Sequence, residues 1–191
     1  MAGMTVAQRM TVAEFLELDL PRFASLVDGE VVVNQPNPLH QDVLGDLHVS
    51  LKLWTRAAAG RGQVLQSLYA ELDEHNHFVP DLLWYRAERE PGRTRVTPQP
   101  LPDIAVEVRS PSTWRYDIGP KMARYEQYGL PELWLVDTAA DEIIVYSRST
   151  PKAPTFDVSL ELAHGDTLTS PLLPDFALVL DELFGLGSGS G

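Results

Sequence analysis

Pro102-Asp103-Ile104-Ala105-Val106-Glu107-Val108-Arg109-Ser110-Pro111 is the stretch around which the rest of the chain can be placed. Its β-branched centre predicts a short strand, ended by a turn over Ser110-Pro111-Ser112-Thr113. With a two-residue period, Ile104, Val106 and Val108 share one face, and Asp103, Ala105, Glu107 and Arg109 share the other. A carboxylate at the centre of so apolar a strand is costly to bury unless a basic group or a metal ion pairs with it. That partner must come from elsewhere in the chain.

Upstream, Val64 to Leu72 and Phe78 to Tyr85 predict two antiparallel strands across the polar turn Asp73-Glu74-His75-Asn76-His77. The second strand contains Pro80-Asp81-Leu82-Leu83-Trp84, so Asp81 supplies a second carboxylate beside the strand that carries Glu107. Two such groups can hold an oxygen-ligated divalent ion. Downstream, a helix is expected from about Asp117 to Tyr128, stopped by Gly129 and Pro131, with Met122 and Tyr125 inward. It carries Lys121, one of only three lysines, which could orient or deprotonate a water or balance phosphate charge.

Further out, Thr11 and Glu14 have capping-box spacing, predicting a short helix to about Leu18. Asp28-Gly29 between two apolar runs predicts a tight hairpin. Leu44, Leu47, Leu51 and Trp54 recur at helical spacing within a long helix over 39–60. More strands are expected over Glu132–Asp137, Glu142–Arg148, Phe156–Leu162 and Leu178–Leu180, with a helical turn over 181–184. Residues 86–101 show no periodicity. This order predicts one α/β (α+β) domain over 1–184 with a mixed, largely antiparallel central sheet flanked by helices. The Gly/Ser-rich tail 185–191 reads as a linker.

The chain is 191 residues long, with a formal charge of −12 and a pI near 4.7, which argues against non-specific coating of nucleic acid. Residues 86–124 reverse that sign: eight Lys/Arg stand against five acids. Solvated surface charge and a phosphate-facing patch both account for this count. With no cysteine there is no disulfide and no thiolate metal site, which suits a reducing cytoplasm. No apolar run reaches the length of a membrane span, so a membrane partner is not expected.

The run 102–113 resembles the signature of the Uma-two family, a restriction-endonuclease-like branch of the PD-(D/E)XK nuclease superfamily. So does its continuation through Asp117, Lys121, Tyr125 and Gly129-Leu130-Pro131-Glu132-Leu133-Trp134-Leu135-Val136-Asp137. Met10 to Phe15, Asp28-Gly29-Glu30, His40-Gln41, Pro80-Asp81 and Gly165 to Pro174 extend the similarity over nearly the whole chain.

The resemblance implies a restriction-endonuclease-like core that hydrolyses phosphodiester bonds in DNA with Mg²⁺, Mn²⁺ being the alternative. It implies Asp81 and Glu107 as metal ligands, the Val108 carbonyl as a third, and Lys121 as the catalytic lysine. The superfamily usually places that lysine two residues after the glutamate, where this chain has Arg109, which cannot give up a proton. Similar proteins commonly carry Tyr-Glu before Leu-Ile-Asp-Gly. This chain has Ala24-Ser25 before Leu26-Val27-Asp28-Gly29, so an accessory acid is missing there.

Glu30 and His40 are the residues that could compensate; Asp103, Arg109 and Asp117 are the other accessory candidates. Taken singly, each site residue has an ordinary structural reading. Asp81 could simply start a strand after proline, and Glu107 could pair with Arg109 or Arg124. Lys121 could pair with Asp117 on an exposed helix face. Asp103 suits a cap or turn, and His75 and His77 a solvated loop. Trp84, Trp114 and Trp134 suit core or loop anchors. A homodimer is expected if both DNA strands are cut. The competing reading is a catalytically inactive nuclease fold that serves as a nucleic-acid- or protein-binding scaffold.

Overall fold

The computed structural model describes residues 9–21, 23–94 and 98–186. Its centre is a six-stranded sheet in the order β10-β9-β8-β7-β6-β3. The strands are β3 (Gln63–Gln66), β6 (Leu82–Tyr85), β7 (Ile104–Val108), β8 (Glu132–Asp137), β9 (Glu142–Ser147) and β10 (Val158–Leu162). Only β7 and β8 run parallel; the other neighbours are antiparallel. The expected mixed, largely antiparallel sheet is therefore present.

Helix α2 (Pro38–Ala57) covers one face of this sheet. Asn37 caps it by accepting from the His40 amide at 2.8 Å, and Pro38 gives up no hydrogen bond in the first turn. Val43, Leu44, Leu47, Leu51 and Trp54 pack on Ile104, Val106 and Val108, the apolar face expected of β7. Replacing one of these leucines by alanine costs about 2–5 kcal/mol. The opposite face holds Ala105, Tyr125, Leu130, Leu133 and Leu135. The helical segment above it runs through α3 (Trp114–Tyr116), a π-turn (Asp117–Lys121) and α4 (Met122–Gln127). It thus starts before the expected Asp117 and is widened at Pro120, where the missing N–H breaks the regular ladder.

Two of the expected long strands are each broken in the middle. The run 64–72 divides into β3 and β4 (Ala70–Asp73), with Ser67 between them at φ 50°. The run 78–85 divides into β5 (Asn76–Phe78) and β6, separated by Pro80 and Asp81. The inner halves join the central sheet. The outer halves join β1 (Ala24–Val27) and β2 (Glu30–Val33) in a second sheet, β2-β1-β5-β4. Proline has no amide to give a ladder, so the strand leaves one sheet for the other at Pro80, and Asp81 sits at that corner.

The hairpin between β1 and β2 has Asp28 at φ 51° and Gly29 at φ 77°, as its Asp-Gly pair requires. The Thr11–Glu14 capping box opens α1, which ends at Leu16 rather than Leu18. The strand expected over Leu178–Leu180 is β12 (Leu173–Val179), which starts earlier, pairs with an unexpected β11 (Thr167–Ser170), and gives way at Leu180 to α5 (Leu180–Leu183). Among the described residues no helix is long and apolar enough to cross a membrane. Residues 187–191 of the expected linker lie outside the described residues, as does Arg95.

Candidate active site

Asp81 is fastened to β7 twice. Its amide donates to the Val106 carbonyl at 3.0 Å, and its Oδ2 accepts from the Val108 amide at 2.7 Å. Glu107, on the same stretch of β7, is 3% exposed. Its Oε2 accepts from Lys121 Nζ at 3.1 Å and its Oε1 from the Tyr125 hydroxyl at 2.7 Å. Lys121 also pairs with Asp117 Oδ1 at 2.8 Å. The i,i+4 pair expected on a solvated helix face does form, but it is buried and its lysine is shared with Glu107. Arg109 and Arg124, the structural partners considered for Glu107, are engaged elsewhere, Arg109 with Asp137 and Arg124 with Asp28.

Three buried carboxylates, Asp81, Glu107 and Asp117, therefore surround one lysine. Burial pushes the Glu107 carboxyl up to about 8; Lys121 opposes that rise, while Asp117 and Asp81 add to it. The Asp117 carboxyl is also raised, first by burial, with Lys121 opposing. Burial alone would lower Lys121, but Asp117 and Glu107 reverse this and hold its ammonium above the ordinary lysine value. Lys121 is thereby held as an ammonium that donates to Glu107 and pairs with Asp117.

Among the described residues, no three His, Cys, Asp or Glu side chains converge as a ready-made metal cage. The residues nonetheless fit a hard divalent cation. Mg²⁺ needs only one or two carboxylates besides water, and the buried acids outnumber their single counter-charge. Asp81 and Glu107 would hold such an ion.

The other candidates separate clearly. His40 joins the cluster: it is buried, with Nε2 3.4 Å from Asp81 Oδ2. Asp103 does not join it. It binds Arg86 at 2.7 Å and Arg89 at 2.8 Å, and accepts from the Arg86 amide at 3.0 Å. Arg109 turns to Asp137 at 2.7 Å and lies over the Trp114 ring. Glu30 is exposed and accepts from the Tyr116 hydroxyl at 2.6 Å. Ser25, where an accessory acid was missed, is buried and accepts from the Val79 amide at 3.1 Å, bracing the turn before Asp81.

The locally basic segment is mostly neutralised: Arg86, Arg89, Arg109, Lys121 and Arg124 each face a carboxylate. His77 corrects its solvated-loop reading. It is buried on β5, stacked on Tyr69 at 4.6 Å and tilted against Phe15 at 5.8 Å. The residue missed at the site was Tyr125. Its signal was present, since helical spacing from Lys121 puts both on one inward face.

A solved structure described as a "putative nuclease belonging to DUF820", from Anabaena variabilis ATCC 29413, is similar to this chain with a TM-score of 0.77. The two are 16% identical, and the match covers 92% of this chain and 98% of that one, which establishes the shared fold. No curated protein matches the chain. The sequence model of one family matches residues 12–181, a span that takes in Asp81, Glu107, Asp117, Lys121 and Tyr125 together. The chain belongs to that family, Uma2, described as "Putative restriction endonuclease".

Proposed function

We propose that this protein is a divalent-metal-dependent nuclease that hydrolyses phosphodiester bonds in DNA. The observation that carries the reading is the buried meeting of Asp81, Glu107 and Lys121, delivered by two adjacent antiparallel strands and a helix. The family description and the structural neighbour support a nuclease; the metal and the DNA substrate are inferred from the chemistry of the donors. Mg²⁺ is the proposed ion, with Mn²⁺ as the alternative.

When bound, the ion supplies Lewis-acid polarisation of the phosphoryl oxygen and lowers the pKa of a coordinated water. Asp81 and Glu107 would hold it. The Val108 amide and the Tyr125 hydroxyl keep the two carboxylates from turning away. Lys121, held charged by Asp117, donates to the attacking water or to the negative charge that builds on the phosphoryl group. Cutting both strands of a duplex requires two such sites, so a two-fold dimer is the proposed assembly.

Incubation with plasmid, linear and single-stranded DNA, with and without Mg²⁺ or Mn²⁺, tests the proposal. Cleavage is expected only with a cation, and is lost in Asp81→Ala, Glu107→Ala and Lys121→Met. Persistent cleavage in any of the three would remove that residue from the mechanism. The scaffold reading has one observation in its favour: both Glu107 oxygens are already hydrogen-bonded within the protein. DNA binding without cation binding or cleavage would select it.

A further inference from the structure

Helix α2 buries one side against the central sheet and leaves the opposite side bare. Val49 and Leu53 stand on the bare side at 56% and 64% exposure, and Leu53 is the most exposed large apolar side chain among the described residues. Gly45, one turn before Val49, lies in helical backbone, where glycine is a poor choice. A Cβ placed there would meet nothing within 4 Å, so nothing inside the chain calls for the glycine. A second backbone drawn close to this face would call for it.

The charges on the same side are sorted along the helix. Asp42 and Asp46 lie in its first half, Lys52 and Arg56 in its second. Val49 is seven residues from Asp42 and seven from Arg56, which puts the three in one line on the helix surface. Asp42 with Asp46, and Lys52 with Arg56, are like charges at i,i+4, a spacing that weakens a helix standing alone. Among the described residues Asp42, Asp46 and Arg56 have no ion-pair partner. Lys52 donates to the Val64 carbonyl at 3.1 Å.

A face whose two halves carry opposite charge complements itself when turned end for end. A second copy laid antiparallel, with Val49 on the two-fold axis, brings Asp42 level with Arg56 of the partner subunit. A parallel copy would set like charge against like. Asp42 and Asp46 would repel a nucleic-acid backbone laid along the same helix.

We propose that the protein forms an isologous dimer through this side of α2, with the two helices in contact at Gly45, Val49 and Leu53 and an Asp42–Arg56 ion pair at each end. The inference rests on the nuclease reading only in expecting a two-fold assembly, and it supplies the surface. One side of a helix about 30 Å long is a small interface, so the association constant belongs in the roughly micromolar range.

Sedimentation velocity of the full chain between about 1 and 200 μM tests this. A monomer–dimer equilibrium is expected, weakened by high salt. Val49→Asp sets two like charges together on the axis and should weaken association at least about a hundredfold. Asp42→Arg and Arg56→Asp each place like charges opposite one another at both ends, and each alone should weaken it about tenfold or more. An equimolar mixture of those two variants has opposite charges at both ends of its heterodimer and should regain association, which neither could do unfolded.

A chain that stays monomeric over the whole range, a dimer indifferent to Val49→Asp, or a mixture no more associated than its components would overturn the proposal. DNA binding lost in Arg56→Asp, by a chain that stays monomeric, would give the face to nucleic acid instead. The nuclease reading fails separately. A dimer of this kind that leaves DNA intact would overturn that reading and keep this interface, and cation-dependent cleavage by a monomeric chain would do the reverse.

Discussion

Asp103, just before β7, and Glu107, near its end, are carboxylates on one face of one short stretch of chain, and both are buried. Asp103 meets two arginines and a backbone amide. Glu107 meets one lysine, which it shares with Asp117 while Asp81 presses on it with like charge. The first end of the strand has more than enough positive charge and holds the molecule together. The second end has too little, and the deficit is what a divalent cation would fill. Burial is common to the two acids; what differs is the count of opposing charges around each.

The largest effect should appear in cleavage. Glu107→Gln keeps the shape and removes the charge, and is expected to lower metal-dependent cleavage by about a thousandfold or more. Asp103→Asn should leave the rate per folded molecule within a few-fold. Equal losses in the two, measured by plasmid nicking against active protein, would break the contrast.

Stability should show the opposite ranking. Asp103→Ala leaves two guanidinium groups and an amide without their acceptor, at a cost of about 2–3 kcal/mol, moderated because both arginines reach solvent. Glu107→Gln should cost less, about 1–2 kcal/mol, because Tyr125 keeps an acceptor and Lys121 keeps Asp117, while the amide nitrogen that replaces Oε2 faces the ammonium without an acceptor. Urea melts of the two variants decide this.

Cation binding sharpens the same comparison. Mn²⁺ at a hundred times its dissociation constant should stabilise the wild type by about 2.7 kcal/mol. Thermal melts of Asp103→Ala should keep that increment, and those of Asp81→Asn should lose it.

His77 is a third buried polar residue, with no hydrogen bond on either ring nitrogen. Burial lowers its imidazole to about 4 from an ordinary 6.5. Between those values the unfolded chain binds a proton that the folded chain refuses, so stability falls as pH drops from 6.5 towards 4. The slope contributed by this group is at most about 1.4 kcal/mol per pH unit. His77→Phe should flatten that part of the stability curve; an unchanged slope would place the acid sensitivity elsewhere.

Much of this was legible before any coordinates. The Asp28-Gly29 hairpin, the Thr11–Glu14 box, the apolar stripe of α2 and the two faces of β7 all follow from backbone preference and periodicity over a few residues. Asp81 and Lys121 were picked out by asking what could pair with a carboxylate on an apolar strand, and the family resemblance joined them to Glu107 as one group; no periodicity links a strand corner, a strand and a helix. The corner itself was missed: Ser67 and Pro80 divide what reads as two continuous strands, because sheet membership depends on which strands lie alongside. His77 was misplaced for the same reason, as its burial comes from Tyr69 and Phe15, which pack around it from separate elements.

The sequence by itself therefore determined the local turns, caps and helical stripe, the face on which Glu107 lies, and the candidate groups for chemistry. Only the tertiary structure decided which charges those groups meet. Arg86 and Arg89 come to Asp103 from a segment without periodicity, Lys121 comes to Glu107 through a π-turn, and His40 comes to Asp81 from the start of α2. Local structure is set by steric preferences that act between near neighbours in the chain. Compensation of a buried charge is set by distances across the fold, which no short-range pattern records.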